Sequence, residues 1–218
     1  MTDSQRPTSS GRFLGSSSAA RSGHDSLVGN GGNDTFSGGL YVQGAGGSDV
    51  INVNNSATFV NEPNANSATV KSSVSFSLFD GSYNNVHKLT LTGSAHLTGT
   101  GTWGNDVLTA NSGGDTLDGN GGKDTLAGGA GHDTFKFDTL SNQNSRINGF
   151  VHAQDVIDIH GVLTQVGSTG DPIASHVLSF AQSGSDTQVV VNDHGVKHVL
   201  VTVAGVQAST MHASDFHY

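Results

Sequence analysis

The 218-residue chain has no cysteine and a single glutamate, Glu62; every other acid is an aspartate. Without cysteine, disulfides, thiolate metal sites and thiol catalysis are excluded, and the chain suits cytoplasm or an export route without oxidative folding. Surface helices normally use glutamate, so its scarcity argues against them; short aspartates suit tight loops and hard-cation sites, where a carboxylate lies beside backbone carbonyls. Basic residues are few, 9 Lys and Arg against 18 acids for a formal net charge of -9, and they form no run. Nucleic acid is therefore not an expected partner. No segment is apolar enough to span a bilayer, and the opening "MTDSQRPTSSGRFLGSSSAARSG" lacks the apolar run of a secretory signal.

Glycine is what the chain has in quantity, 31 residues, while only 33% of it is hydrophobic. Glycine interrupts helices, and the frequent Thr, Val, Ser, Asn and Asp favour strands, caps and turns. The expected class is all-β. Residues 1–23, rich in Ser, Gly and Arg without period, read as a disordered leader or expression remnant. Residues 24–53 form a short repeat block, in which Asp25 and Asp34 are nine apart and Asp49 follows fifteen later, with Gln43 where an aspartate was due. Residues 54–98 alternate apolar and polar side chains, with a turn at Asp80-Gly81, and read as irregular strands flanking or capping the repeats.

Residues 99–137 carry the cleanest period. Asp106, Asp115, Asp124 and Asp133 fall at a constant spacing of nine, each followed two residues later by Leu108, Leu117, Leu126 or Phe135. Each unit divides into a glycine turn and a strand of about three residues whose middle side chain points inward. One turn reverses the chain once, so two units complete a circuit and lay the third strand beside the first. The predicted architecture is a parallel β-roll, followed over 138–218 by a C-terminal β-domain.

Stacking of alternate units places Asp106 against Asp124 and Asp115 against Asp133. Two carboxylates roughly 4 Å apart repel by about 4 kcal/mol at an effective dielectric near 20. A cation must offset that repulsion, and carboxylates with turn carbonyls match the six to eight oxygens that calcium takes at about 2.3–2.6 Å. Magnesium demands tighter octahedral geometry, so several calcium ions are the expected cofactor.

"GNGGKDTLA" and "GGAGHDTFK" resemble the nonapeptide GGxGxDxUx of the RTX proteins, toxins and enzymes secreted by Gram-negative bacteria. "INGFVHAQDVIDIHGV" is similar to the segment that follows the repeats in serralysin-type secretion-target domains, and "SDFHY" to the acidic-then-apolar ending of the family. The resemblance covers roughly residues 22–218. It implies a secreted, extracellular protein exported by a type I secretion ABC transporter that reads an uncleaved C-terminal signal. It also implies metal roles for the side chains of Asp106, Asp115, Asp124 and Asp133 and the backbone at Gly104, Gly113, Gly122 and Gly131. In the first block the matching positions are Asp25, Gly32, Asp34 and Asp49. Asp155 and Asp158 either bind a further calcium or cap strand turns. Ala110-Asn111 departs from the family's Gly-Gly.

No His-Glu-x-x-His, nucleophile elbow or glutamate pair is present, so catalysis by this chain is not expected. His194 and His198 have helix-like spacing, but "DHGVKHV" reads as a hairpin. Other readings stay open: an adhesin or module that binds extracellular polysaccharide, with Trp103, Tyr41 and Tyr83 as stacking residues, or the accessory end of a secreted protease, lipase or epimerase carrying an N-terminal passenger domain.

Overall fold

The computed structural model describes residues 17–19, 26–29, 32–38, 41–44, 46–62, 67–79, 85–142 and 144–218. They fall into two compact units, one drawn from 1–72 and 80–86, the other from 73–79 and 87–218. Asp25, Tyr83 and the Asp80-Gly81 turn lie outside the described residues.

Among its described residues the first unit contains seven short strands: β1 (Ser17–Ala19), β2 (Ser26–Val28), β3 (Thr35–Ser37), β4 (Tyr41–Gln43), β5 (Val50–Val53), β6 (Phe59–Asn61) and β7 (Thr69–Ser72). Odd strands form one parallel sheet and even strands another. The chain thus crosses from sheet to sheet at every turn. Phe36, Ile51 and Val70 stack in register from one sheet and Leu27, Val42 and Val60 from the other, all buried. A three-residue strand has one inward side chain, because successive side chains alternate faces. The circuit survives the loss of the nonapeptide period after Asp34, since β5, β6 and β7 keep an inward apolar residue where the aspartates and glycines change.

The second unit repeats this construction with β8 (Phe76–Ser77), β9 (Lys88–Leu91), β10 (Thr98–Thr100), β11 (Val107–Thr109), β12 (Thr116–Asp118), β13 (Thr125–Ala127), β14 (Thr134–Lys136), β15 (Ser145–Asn148) and β16 (Val156–Asp158). One parallel sheet runs β9, β11, β13, β15; the other runs β8, β10, β12, β14, β16. Leu108 pairs with Leu126 and Leu117 with Phe135, so each strand does lie beside the strand two units on. All four side chains are fully buried, each worth about 1.5–3 kcal/mol.

After β16 the chain forms a single short α-helix, α1 (His160–Gln165), then β17 (Leu178–Ser183), β18 (Asp186–Asp193), β19 (Val196–Val203) and β20 (Phe216–His217). The expected C-terminal β-domain called for strand through Leu163. The helix instead buries Val162 and Leu163, and Asp158 Oδ1 accepts its first N–H, from His160. β17, β18 and β19 are antiparallel, and β18 turns into β19 through His194 and Gly195, both at positive φ. This is the hairpin expected of "DHGVKHV". β19 also pairs in parallel with β15, and β20 with β16. The sheets of the repeats therefore run on into the tail, and the boundary expected near residue 140 falls inside one compact unit. The reason is that parallel pairing needs an inward apolar residue, here Ile147 beside Leu126 and Ile157 beside Phe135, and no aspartate.

Candidate metal centre

The turn aspartates are buried and arranged in ladders. Oδ1 of each accepts a backbone N–H from the turn one circuit earlier: Asp115 from Leu97 (2.8 Å), Asp124 from Asp106 (2.9 Å), Asp133 from Asp115 (2.8 Å) and Asp155 from Asp133 (3.0 Å). Oδ2 closes its own turn by accepting the N–H four residues back: Asp106 from Thr102 (2.6 Å), Asp115 from Asn111 (2.6 Å), Asp133 from Gly129 (2.7 Å) and Asp155 from Val151 (2.8 Å). One ladder holds Asp106 and Asp124; the other holds Asp115, Asp133 and Asp155. Asp158 stands apart, on β16, capping α1 and lying 3.4 Å from His217 Nδ1.

Two other residues complete the first ladder. His87 stands one circuit before Asp106, its Nδ1 2.8 Å from Asp106 Oδ1, and Ser145 Oγ accepts the Asp124 N–H at 2.9 Å. Sequence reasoning missed both because neither is acidic. Counting back one residue from the start of β9 finds His87, as Asp106 precedes β11; Ser145 follows only from register, since Arg146 pairs with Thr125 and so sets Ser145 opposite Asp124.

Glycine is required at two turn positions. Gly122 and Gly131 both sit at φ +98°, and a Cβ on either would strike the carbonyl of Gly104 or Gly113 in the circuit before. A Cβ on Gly101 would lie 2.6 Å from Asp106 Oδ2, and one on Gly119 would overlap Asp124 Oδ2. Close backbone approach thus holds the carboxylates against glycine Cα atoms.

The donor set fits a hard cation. At Asp124 the turn-closing bond is lost, because the Asn120 N–H turns instead to Asp118 Oδ1 (2.8 Å) with Asn120 at φ 71°. Asp124 Oδ2 is left buried with no hydrogen-bond partner. Burial pushes the Asp124 carboxyl up to about 7, opposed by the Asp106 N–H and reinforced by the charges of Asp106 and Asp118. Asp133 is pushed up in the same way, by burial first, against the N–H bonds from Asp115 and Gly129. Among the described residues no group of three or more His, Cys, Asp or Glu is gathered closely enough to hold a metal by side chains alone. A cation here must therefore combine one or two carboxylates with backbone carbonyls, which is the ligand mix calcium accepts.

In the first unit Asp49 Oδ1 accepts the Asp34 N–H (2.8 Å), the same ladder bond. Gly32, at φ +96°, presents its carbonyl to Gly47, where a Cβ would overlap it. The ladder brings in a residue sequence reasoning did not select: Glu62, fully buried, whose Oε1 accepts the Gly44 N–H at 2.7 Å. Burial pushes the Glu62 carboxyl up to about 8, helped by Asp49 and Asp34 and opposed by the Gly44 N–H. Its isolation as the only glutamate, one residue past a strand, was the available signal.

Other chemistry is sparse. His152 Nδ1 lies 3.2 Å from both carboxylate oxygens of Asp215, and Thr210 Oγ1 lies 3.1 Å from its Nε2. The Thr210 hydroxyl, however, donates to the Gln207 carbonyl (2.8 Å), so it is not activated by the imidazole. Trp103 is 64% exposed, edge-on to Phe79 and laid over Gly121, while Tyr41 is stacked on Phe59.

Comparison with known proteins agrees with the turns. The RTX calcium-binding nonapeptide repeat matches in four copies, over residues 19–40 and 100–135. Among solved structures the chain is similar to the AlgE6R2 subunit from the Azotobacter vinelandii mannuronan C5-epimerase, at 28% identity, 58% of this chain, 85% of that chain and a TM-score of 0.43. No curated protein matches. The chain carries RTX calcium-binding nonapeptide repeats, which bind several calcium ions, in a parallel β-roll.

Proposed function

We propose that the chain is a calcium-dependent folding module of a secreted protein, exported by a type I secretion ABC transporter that reads a signal within 138–218. One observation carries the reading. Asp115, Asp133 and Asp155 are buried one circuit apart, Asp124 is buried in the other ladder, and among the described residues no Lys, Arg or His side chain lies within ion-pair distance of any of them. A roll built this way is destabilised by its own charge until a divalent cation arrives. Calcium would supply that counter-charge, held by the aspartates and by the carbonyls around Gly104, Gly113, Gly122 and Gly131.

The physical logic of export follows from coupled binding and folding. At the low calcium of a cytosol the chain stays unfolded and can be threaded; outside, near-millimolar calcium fills sites with affinities of about 10⁻⁴ to 10⁻³ M, the range of extracellular calcium modules. Far-UV circular dichroism, titrated from EDTA into calcium with magnesium as control, tests this. A coil-to-β transition in calcium alone is expected. A chain already folded in EDTA and indifferent to calcium would overturn it. Export is tested by appending residues 138–218 to a reporter beside a reconstituted type I transporter, where secretion is expected and full retention counts against the signal.

No helix among the described residues is long and apolar enough to cross a membrane. The repeat region is a structural calcium-binding module, and we place any catalysis in a passenger domain, not in this chain. A second reading has one observation in its favour, the exposed Trp103 plane: a surface that stacks on extracellular polysaccharide. Glycan binding in calcium that disappears in Trp103→Ala would promote it.

A further inference from the structure

The first unit contains an acidic pair of which one member, Glu62, lies off the nonapeptide pattern. Glu62 Oε2 and Asp49 Oδ2 are both buried, and neither has a hydrogen-bond partner. The two oxygens converge on Gly44, where a Cβ would overlap both. Their companion oxygens are already engaged, Oε1 by the Gly44 N–H and Oδ1 by the Asp34 N–H. Asp34 adds a third buried carboxylate at the next step of the ladder. No cationic side chain among the described residues lies within ion-pair distance of Asp49 or Glu62.

Register explains how a glutamate comes to be here. Asn61 pairs with Gln43, so Glu62 stands one circuit beyond Gly44, at a turn position that the repeats give to glycine. From there an aspartate would be one methylene shorter. Glu62 has the reach to bring its carboxylate back into the Asp49 turn, and Gly44 leaves the space that its carboxylate and that of Asp49 face.

We propose that Glu62 and Asp49 together hold a divalent hard cation, calcium, at a site beyond the residues 19–40 and 100–135 that the nonapeptide repeat matches. The inference rests on the calcium reading of the turns and extends it to a residue of different type and spacing. Two facing carboxylate oxygens with no donor between them need either a shared proton or a metal ion. A single proton cancels one of the three negative charges, whereas a divalent cation cancels two, and carboxylates of low-dielectric surroundings gain most from that cancellation. All the donors are oxygens, the preference of calcium.

Equilibrium dialysis of the full chain against saturating calcium, with bound metal counted by atomic emission, tests the site together with melting in EDTA and in calcium. Glu62→Gln is expected to bind one calcium fewer than the wild type, to melt no lower in EDTA, and to gain less from calcium. Unchanged stoichiometry with an unchanged calcium shift would overturn the site and leave a shared proton as the role of the pair. Should Glu62→Gln fail to fold, Gly44→Ala decides: its Cβ fills the gap, so loss of one calcium supports the site and full stoichiometry overturns it. The parallel variant Asp124→Asn separates the two claims. If Asp124→Asn loses calcium while Glu62→Gln does not, only this site fails; if the wild type binds none, the calcium reading of the repeats fails with it.

Discussion

Asp124 shows how a side chain is destabilising and functional at once. Its Oδ2 has neither donor nor cation, and burial holds its proton to about pH 7. Asp124→Asn should therefore raise the melting temperature in EDTA near pH 7.5, yet shift the calcium midpoint for folding upward several-fold. Asp193→Asn, at the exposed hairpin, should do neither; equal midpoints for the two variants in a circular dichroism titration would count against the assignment. The same chemistry sets a pH dependence. Glu62 and Asp124 are raised to about 8 and about 7 from unfolded values near 4, so the folded chain binds protons that the unfolded chain has released. Their contribution is fully present below about pH 4 and is lost as pH rises through 7 to 8. Chemical denaturation in EDTA should thus show these groups lowering stability between pH 5 and 8. Saturating calcium, which favours the ionised carboxylates, should flatten that decline.

At the scale of the element, each turn and strand combines one backbone requirement with one packing requirement. Gly122 has both a positive φ and the Gly104 carbonyl where a Cβ would go, while Gly170 has a positive φ and open space. Gly122→Ala should lower the melting temperature in calcium clearly more than Gly170→Ala, whose cost is backbone strain of about 1 kcal/mol. Leu117, fully buried between Gly99 and Phe135 in register, should cost about 2–5 kcal/mol when cut to Ala. The strand periods were legible because a lone inward apolar residue recurs with each aspartate. Past Phe137 the same inward positions persist at Ile147 and Ile157, but the spacing stretches, and with it the visible signal.

For the whole molecule, the ends of a stack matter most, since an unpaired strand of a solenoid exposes its edge and its inward face. β15 and β16 pair with β13 and β14, and β19 and β20 extend those sheets. A fragment ending at residue 137 should fold only at higher calcium than the full chain, and lose the cooperativity of its transition. An unchanged midpoint, read by circular dichroism, would restore the boundary near 140 as a true domain boundary.

By itself the sequence determined the all-β class, the alternation of sheets, the inward residues from Leu108 to Phe135 and the turn aspartates, because each follows from a local period that repeats in register. Only the tertiary structure decided that the coil continues through irregular spacing. It alone placed Asp155, His87 and Ser145 in the ladders and put Asp158 outside them, and it alone brought Glu62 against Asp49. Those facts depend on which backbone positions lie one circuit apart, and once loop lengths vary, that register is set by strand pairing and not by residue count.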